Sequence, residues 1–403
     1  MVSFSLFLYA CTYMAICVNS FSKLVYNDYN KRHFWKGVIF FMRRCILLCL
    51  VLFSFLSICS CSSGTSDSAA SKSPINSGSL PGNTTSAVTN TSGKPQIGSS
   101  QLIFKTISSK SIASNLLNES TDQMIEIYLP PTYSTSVKSY PVIYYLHGFG
   151  EPAGSFLDNS KNDLDTYFTN NDNQFIMVCM NGQNKSGGSF YVNSPVIGNW
   201  EDYVTNEVVN YIDNNYRTIK SSDSRGICGH SMGGFGAINI ALKHPEIFGS
   251  VYAASPGIFS NDNFAEVLNS WKTDTVVLQA YGQAFCPDPD GEPPYCKIPS
   301  SDDAKTSEQK RILNNWIDGY GNFEKKLNSY LAKNKPLRAI GFSYGTNDSY
   351  TWIPKGTKHF INLLKKNKIE PTVYEYEGDH EMPDGMLSEH LIPFFNQYLV
   401  WQK

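Results

Sequence analysis

From about residue 101 onward the chain alternates short apolar runs with longer stretches in which apolar residues recur every three or four positions. "MIEIYLP" (124–130) and "YPVIYYLHGFG" (140–150) read as strands, and the second is almost continuously apolar, as a parallel strand covered on both faces should be. "QFIMVCMNG" (174–182) repeats that signal, and "NWEDYVTNEVVNYIDNNY" (199–216) then switches to helical spacing. "RGICGH" (225–230) predicts a buried strand. The helix after it carries Phe235, Ile238, Ala241 and Leu242 on one face and is stopped by Pro245. Strands "FGSVYAAS" and "LRAIGFSYG", helix "KGTKHFINLLKKNK", strand "TVYEYEG" and a final helix from about Ser388 complete the series. Such alternation predicts one α/β domain over residues 101–403, a doubly wound and mostly parallel sheet with helices on both faces. No internal repeat interrupts it.

Ahead of residue 101 the pattern is different. Met42, Arg43 and Arg44 form a positive start, "CILLCLVLFSFLSIC" is an apolar stretch, and Ser60 is a small residue ahead of Cys61. Residues 42–61 are therefore expected to be a signal of the bacterial lipoprotein type, with Cys61 as the lipidated residue and a lipid-anchored, extracytoplasmic location. The competing reading is a transmembrane anchor, but the run falls short of the roughly 20 residues that span a bilayer. Residues 1–41 belong to neither, being either a mis-assigned start upstream of Met42 or a first membrane segment. Residues 62–100 are Ser, Thr, Gly and Asn with almost nothing apolar, so they are expected to act as a disordered tether. The sequons at Asn83, Asn90 and Asn118 would matter only in a eukaryotic secretory route. With 33 basic and 35 acidic residues, the chain has no charge bias toward nucleic acid.

Candidate chemistry centres on Gly229-His230-Ser231-Met232-Gly233, a G-x-S-x-G turn between the predicted strand and helix. A serine at such an apex needs neighbours without a Cβ, which the glycines supply. It also needs a base to take its proton and an acid to orient the base. "GFSYGTNDSY" puts Asp348 just after one strand and "YEYEGDHEM" puts His380 just after the next, in the order serine, acid, histidine. Asp379 adjoins His380 and should point away from it, while Glu381 and Asp384 follow the base. His359 and His390 read as surface or packed side chains. Oxyanion donors are expected at the N–H groups of Met232 and Phe149, the latter in "LHGFG". His147, His230, Tyr191 and Trp200 are candidates for contacting substrate along the cleft, with the alternatives that His147 orders the glycine loop after it, that His230 bonds locally, and that Tyr191 and Trp200 are core packing.

Together "HGFG", "GNWEDYVTNEVVNYIDNNYRT", "GHSMGGFGAINIALKHPEIFGSV", "GTNDS" and "EGDH" resemble the esterase family of α/β-hydrolases that includes esterase D, S-formylglutathione hydrolases, bacterial feruloyl esterases and mycolyltransferases. The resemblance runs from about residue 120 to the end and implies a serine, histidine and aspartate triad at Ser231, His380 and Asp348. It implies an esterase using no cofactor or metal and acting on small-molecule or polysaccharide-linked esters, with acyl transfer and non-catalytic binding as alternatives. The chain departs from shorter members in a long insert, about residues 258–336. That insert holds Cys286 and Cys296 around a proline-rich loop, which an extracytoplasmic domain could join as a disulfide; without a nearby histidine, zinc is not expected there.

Overall fold

A computed structural model describes residues 98–299 and 305–401. The lipidation site Cys61, the signal 42–61, the upstream segment and most of the tether lie outside the described residues.

Strand β1 (Gln101–Ser108) pairs antiparallel with β2 (Asp122–Leu129), and β3 (Val142–Leu146), helix α1 (Ser155–Thr169) and β4 (Ile176–Met180) follow. A two-residue ribbon, β5 (Asn193–Ser194) with β6 (Gly198–Asn199), leads into α2 (200–215), whose middle, Tyr203–Val208, is wound as a π-helix. Then come β7 (Arg225–His230), α3 (Met232–Lys243) and β8 (Ser250–Ala254). The insert contributes α4 (Phe264–Trp271), α5 (Thr275–Phe285), α6 (Ser307–Tyr320) and α7 (Phe323–Leu331). The chain closes with β9 (Ala339–Gly345), α8 (Trp352–Lys366), β10 (Thr372–Tyr376) and α9 (Ile392–Tyr398), the last entered through a π-helical turn, Met386–Leu391. The main sheet has eight strands in the order β1-β2-β4-β3-β7-β8-β9-β10. From β4 to β10 all pairings are parallel, and β2 runs against its neighbours.

The apolar runs explain this arrangement. All five residues of β3 are buried, and with a side-chain period of two they feed separate cores. Val142, Tyr144 and Leu146 pack with α2, α3, α8 and the insert on one face, while Ile143 and Tyr145 pack with α1 and α9 on the other. The disulfide that the sequence left open is not formed. Cys286 and Cys296 are free thiols; Asn315 Nδ2 donates to Cys286 Sγ at 3.6 Å, and Cys296 Sγ donates to the Gln279 carbonyl at 3.7 Å.

Register sets the site. Leu146 lies opposite Gly229, His230 opposite Ala254, Ala254 opposite Ser343, and Gly345 opposite Tyr376. The carboxyl ends of β3, β7, β8, β9 and β10 therefore share one edge, where loops of an open parallel sheet gather reactive side chains.

Candidate active site

β7 ends at His230 and α3 begins at Met232, which leaves Ser231 alone in the turn at φ 56° and ψ −115°. A positive φ is rare for a residue with a Cβ and persists only where neighbours fix it. Here the Ser231 N–H donates to Ala254 O at 3.0 Å, and the Ser231 carbonyl accepts from Gly257 N–H at 2.9 Å. The flanking glycines answer to close approach. A Cβ on Gly233 would sit 1.9 Å from Leu146 O, and one on Gly229 would sit 2.4 Å from Gly233 O.

Loops after β9 and β10 bring two more groups to this turn. Ser231 Oγ–H donates to His380 Nε2 at 2.8 Å, and His380 Nδ1–H donates to Asp348 Oδ2 at 2.8 Å. An ionised carboxylate only accepts, so Nδ1 carries the proton and Nε2 presents its lone pair to the serine. Asp348 is 2% exposed, and its other oxygen accepts from Tyr350 N–H at 2.8 Å. Asp379 does a different job from Asp348. Its Oδ1 accepts from Ser349 N–H at 2.8 Å and from His380 N–H at 2.7 Å, which ties the two loops together; those N–H groups hold its carboxyl below the usual range.

The loop after β3 passes close by. A Cβ on Gly148 would lie 3.5 Å from Ser231 Cβ. The N–H groups of Phe149 and Met232 donate to no protein acceptor among the described residues, and the Met232 N–H belongs to the first turn of α3, where no intrahelical partner exists.

The four residues expected to contact substrate are buried, and their polar atoms are engaged within the protein. His147 is buried, and both ring nitrogens are taken: Nε2 accepts from Gly182 N–H at 2.8 Å and Nδ1–H donates to Gly148 O at 2.8 Å. Burial pushes its pKa down, so it is a neutral peg under the loop. Tyr191 is fully buried with its hydroxyl donating to His147 O at 3.1 Å. Trp200, also fully buried, donates from Nε1 to Ile197 O at 2.8 Å and packs edge-on to Tyr203. His230 is buried and donates from Nε2 to His380 O at 2.9 Å. Aromatic and imidazole side chains serve core and cleft alike, and sequence pattern does not separate the two uses.

Residues not anticipated take up the space beside His380. Tyr350 stands edge-on to the imidazole, centroids 5.0 Å apart at 84°, and Trp271 of α4 lies against Tyr350 at 4.9 Å and 32°. Both are partly exposed. The position of Tyr350, two residues after Asp348, was a usable signal; that of Trp271, across the insert, was not.

This strand order, with a serine in the turn between β7 and α3 and a histidine and aspartate at neighbouring strand ends, defines an α/β-hydrolase fold. The chain belongs to the family described as "Putative esterase", whose model matches residues 114–384. It is similar to an esterase of Mycobacterium tuberculosis, 29% identical over 263 residues that make up 64% of this chain and 52% of the relative. It is also similar to an endo-1,4-beta-xylanase/feruloyl esterase of Xylanibacter ruminicola, 31% identical over 147 residues, 33% of this chain and 19% of the relative. The chain thus spans about half the length of the mycobacterial relative. Two Staphylococcus aureus structures share the fold, each covering 75% of this chain and 99% of its own at a TM-score of 0.50: an S-formylglutathione hydrolase (17% identity) and a fluorophosphonate-binding serine hydrolase (18% identity).

Proposed function

We propose that this chain is a serine carboxylic ester hydrolase that works through an acyl-enzyme, with Ser231 as nucleophile, His380 as general base and acid, and Asp348 as the orienting acid. The observation that carries this reading is the unbroken line from Ser231 Oγ through His380 to Asp348, 2.8 Å at each link. As Oγ attacks the ester carbonyl carbon, Nε2 takes the hydroxyl proton, and the Asp348 carboxylate stabilises the imidazolium that forms. The oxyanion is received by the free N–H groups of Met232 and Phe149, which act where charge develops in the transition state. Collapse breaks the bond to the alcohol, which leaves with the proton from Nε2. Water then attacks the acyl-enzyme, gives its proton to Nε2, and the acid is released as Ser231 regains its own.

Acetyl or feruloyl esters of polysaccharide, or related small esters, are the proposed substrates. Two points support them: a relative named for xylanase and feruloyl esterase activities, and the partly exposed Trp271 and Tyr350 beside His380, on which a sugar or phenolic ring could stack. Full-length protein should release acid from acetyl, feruloyl or short-acyl p-nitrophenyl esters, and added alcohol acceptors should leave the product as free acid. A fluorophosphonate probe should label Ser231, and Ser231→Ala should lose a factor on the order of 10⁶ in kcat. Retained turnover in that variant sinks the reading; an acceptor-dependent ester product replaces hydrolysis with acyl transfer.

A further inference from the structure

His230 is spent on neither nucleophile nor substrate, yet it adjoins Ser231 and is buried. Its Nε2–H donates to the backbone carbonyl of His380 at 2.9 Å, and the two rings lie 4.9 Å apart at 46°. Its other nitrogen, Nδ1, faces Glu151 Oε1 at 3.5 Å. Glu151 is in the loop after β3, and its second oxygen accepts from Gly148 N–H at 3.1 Å. One chain of contacts therefore runs from the peptide beside the Phe149 N–H, through Glu151 and His230, to the backbone of His380.

We propose that Glu151 and His230 are a positioning pair that ties the loop after β3 to the His380 loop and so sets the approach of His380 Nε2 to Ser231. The proposal rests on the roles assigned above to Ser231 and His380. A carbonyl and a carboxylate both only accept, so in the proposed pair His230 carries a proton on each ring nitrogen and is a cation. Burial alone would lower its pKa, but Glu151, the His380 carbonyl and Glu381 outweigh burial and hold it above the usual histidine value. Burial likewise works to raise Glu151, and His230 with the Gly148 N–H holds it below the usual carboxylate range.

The other titratable groups around the pair do not compete for its proton. His147 is fixed as the neutral Nδ1–H tautomer by Gly182. Tyr145 and Tyr191 are pushed far above the ordinary phenol value by burial, so they stay uncharged. The signs follow from linkage. A raised histidine contributes fully below 6.5 and loses its contribution as pH rises through its folded pKa; a lowered glutamate contributes above 4.5 and loses it as pH falls through its folded pKa. The pair is intact from below 4.5 to above 6.5. On the alkaline side the deprotonated Nδ1 would turn its lone pair on the Glu151 carboxylate, and the tie would loosen.

Glu151→Gln is the informative variant, because its amide can accept from Gly148 N–H and donate to a neutral His230 that still donates to His380 O. Wild type should show an alkaline fall in kcat that tracks His230 deprotonation. In Glu151→Gln that limb should vanish while kcat at pH 7 stays within about twofold. Glu151→Ala and His230→Leu should lose roughly 10- to 100-fold in kcat with KM little changed, the cost of a displaced base. In ¹⁵N-imidazole spectra His230 should be doubly protonated at pH 6.5 in wild type and neutral in Glu151→Gln, a readout independent of turnover. A neutral His230 in wild type, or wild-type kcat in Glu151→Ala, overturns the proposal. Ser231→Ala measured alongside separates the two failures, since turnover there removes the assignment of the site itself.

Discussion

Besides the Ser231 hydroxyl on Nε2, four contacts leave the His380 imidazole little freedom: Asp348 on Nδ1, Asp379 on the backbone N–H, His230 on the carbonyl, and the edge-on ring of Tyr350. Of these four, only the first decides which nitrogen carries the proton. An asparagine at 348 can offer its amide N–H to Nδ1, which would shift the proton to Nε2 and remove the lone pair the serine needs. Asp348→Asn should therefore keep the fold, judged by an unchanged thermal midpoint, and cost roughly 10⁴ in kcat. Asp379→Asn leaves the tautomer alone and should cost far less. If the two variants lose activity equally, the carboxylates have been assigned the wrong way round. The sequence could separate them because a side chain adjoining His380 in the chain cannot easily turn back onto its ring. It could not show that Asp379 reaches both backbone N–H groups, because that bond depends on how two loops distant in sequence meet.

Elements were legible where one pattern was strong over several residues. β3, β4, β7 and β8 are apolar runs, and the turn around Ser231 has its glycines where Leu146 O crowds the chain. β1 escaped because it is an edge strand with Phe104 54% exposed, so neither face is consistently apolar. Of the fifteen residues of α1 only Leu157, Leu164 and Phe168 are buried, too few to set a helical stripe. The capping box of Thr306 and Gln309 at the start of α6 was a readable signal in an insert otherwise noted only for its cysteines. β2 holds a conflict of another kind. Glu126, in its middle, is 1% exposed, and neither carboxylate oxygen has a hydrogen-bond partner among the described residues. Burial, with the nearby Asp158 carboxylate, pushes its pKa up to about 7. An acid with a raised folded pKa binds its proton more tightly in the native state, so stability falls as pH rises from 4.5 to about 7 and stays reduced above that. Glu126→Gln removes this penalty. Thermal unfolding should show the variant a few degrees more stable at pH 8 and no more stable at pH 4.5; equal midpoints at both pH values would mean that the carboxyl is solvated.

At the scale of the molecule, the sheet collects Ser231, Asp348 and His380 along one edge, and the proposed location of the protein rests on the sequence ahead of the folded domain. Among the described residues no helix is long and apolar enough to cross a membrane. Met42, Arg43 and Arg44, the apolar stretch 45–59 and Cys61 together support a proposed lipoprotein signal. Acyl chains on Cys61 would contribute about 0.8 kcal/mol for each buried CH₂, and at least two chains are needed for stable anchoring. The Ser, Thr and Gly composition of residues 62–100 cannot bury enough apolar surface to offset the entropy of ordering, which suits a tether reaching from a membrane to its substrate. Full-length protein made in a bacterium should partition into detergent and carry an acyl label. Cys61→Ala should either persist as an uncleaved precursor or lose the label. A transmembrane anchor predicts the reverse, with no dependence on Cys61 and an intact chain upstream of it, so the intact mass of the purified protein distinguishes the two. If mass, label and partitioning are all unchanged by Cys61→Ala, lipidation is excluded, and a surface location would rest on the apolar stretch acting as a membrane span.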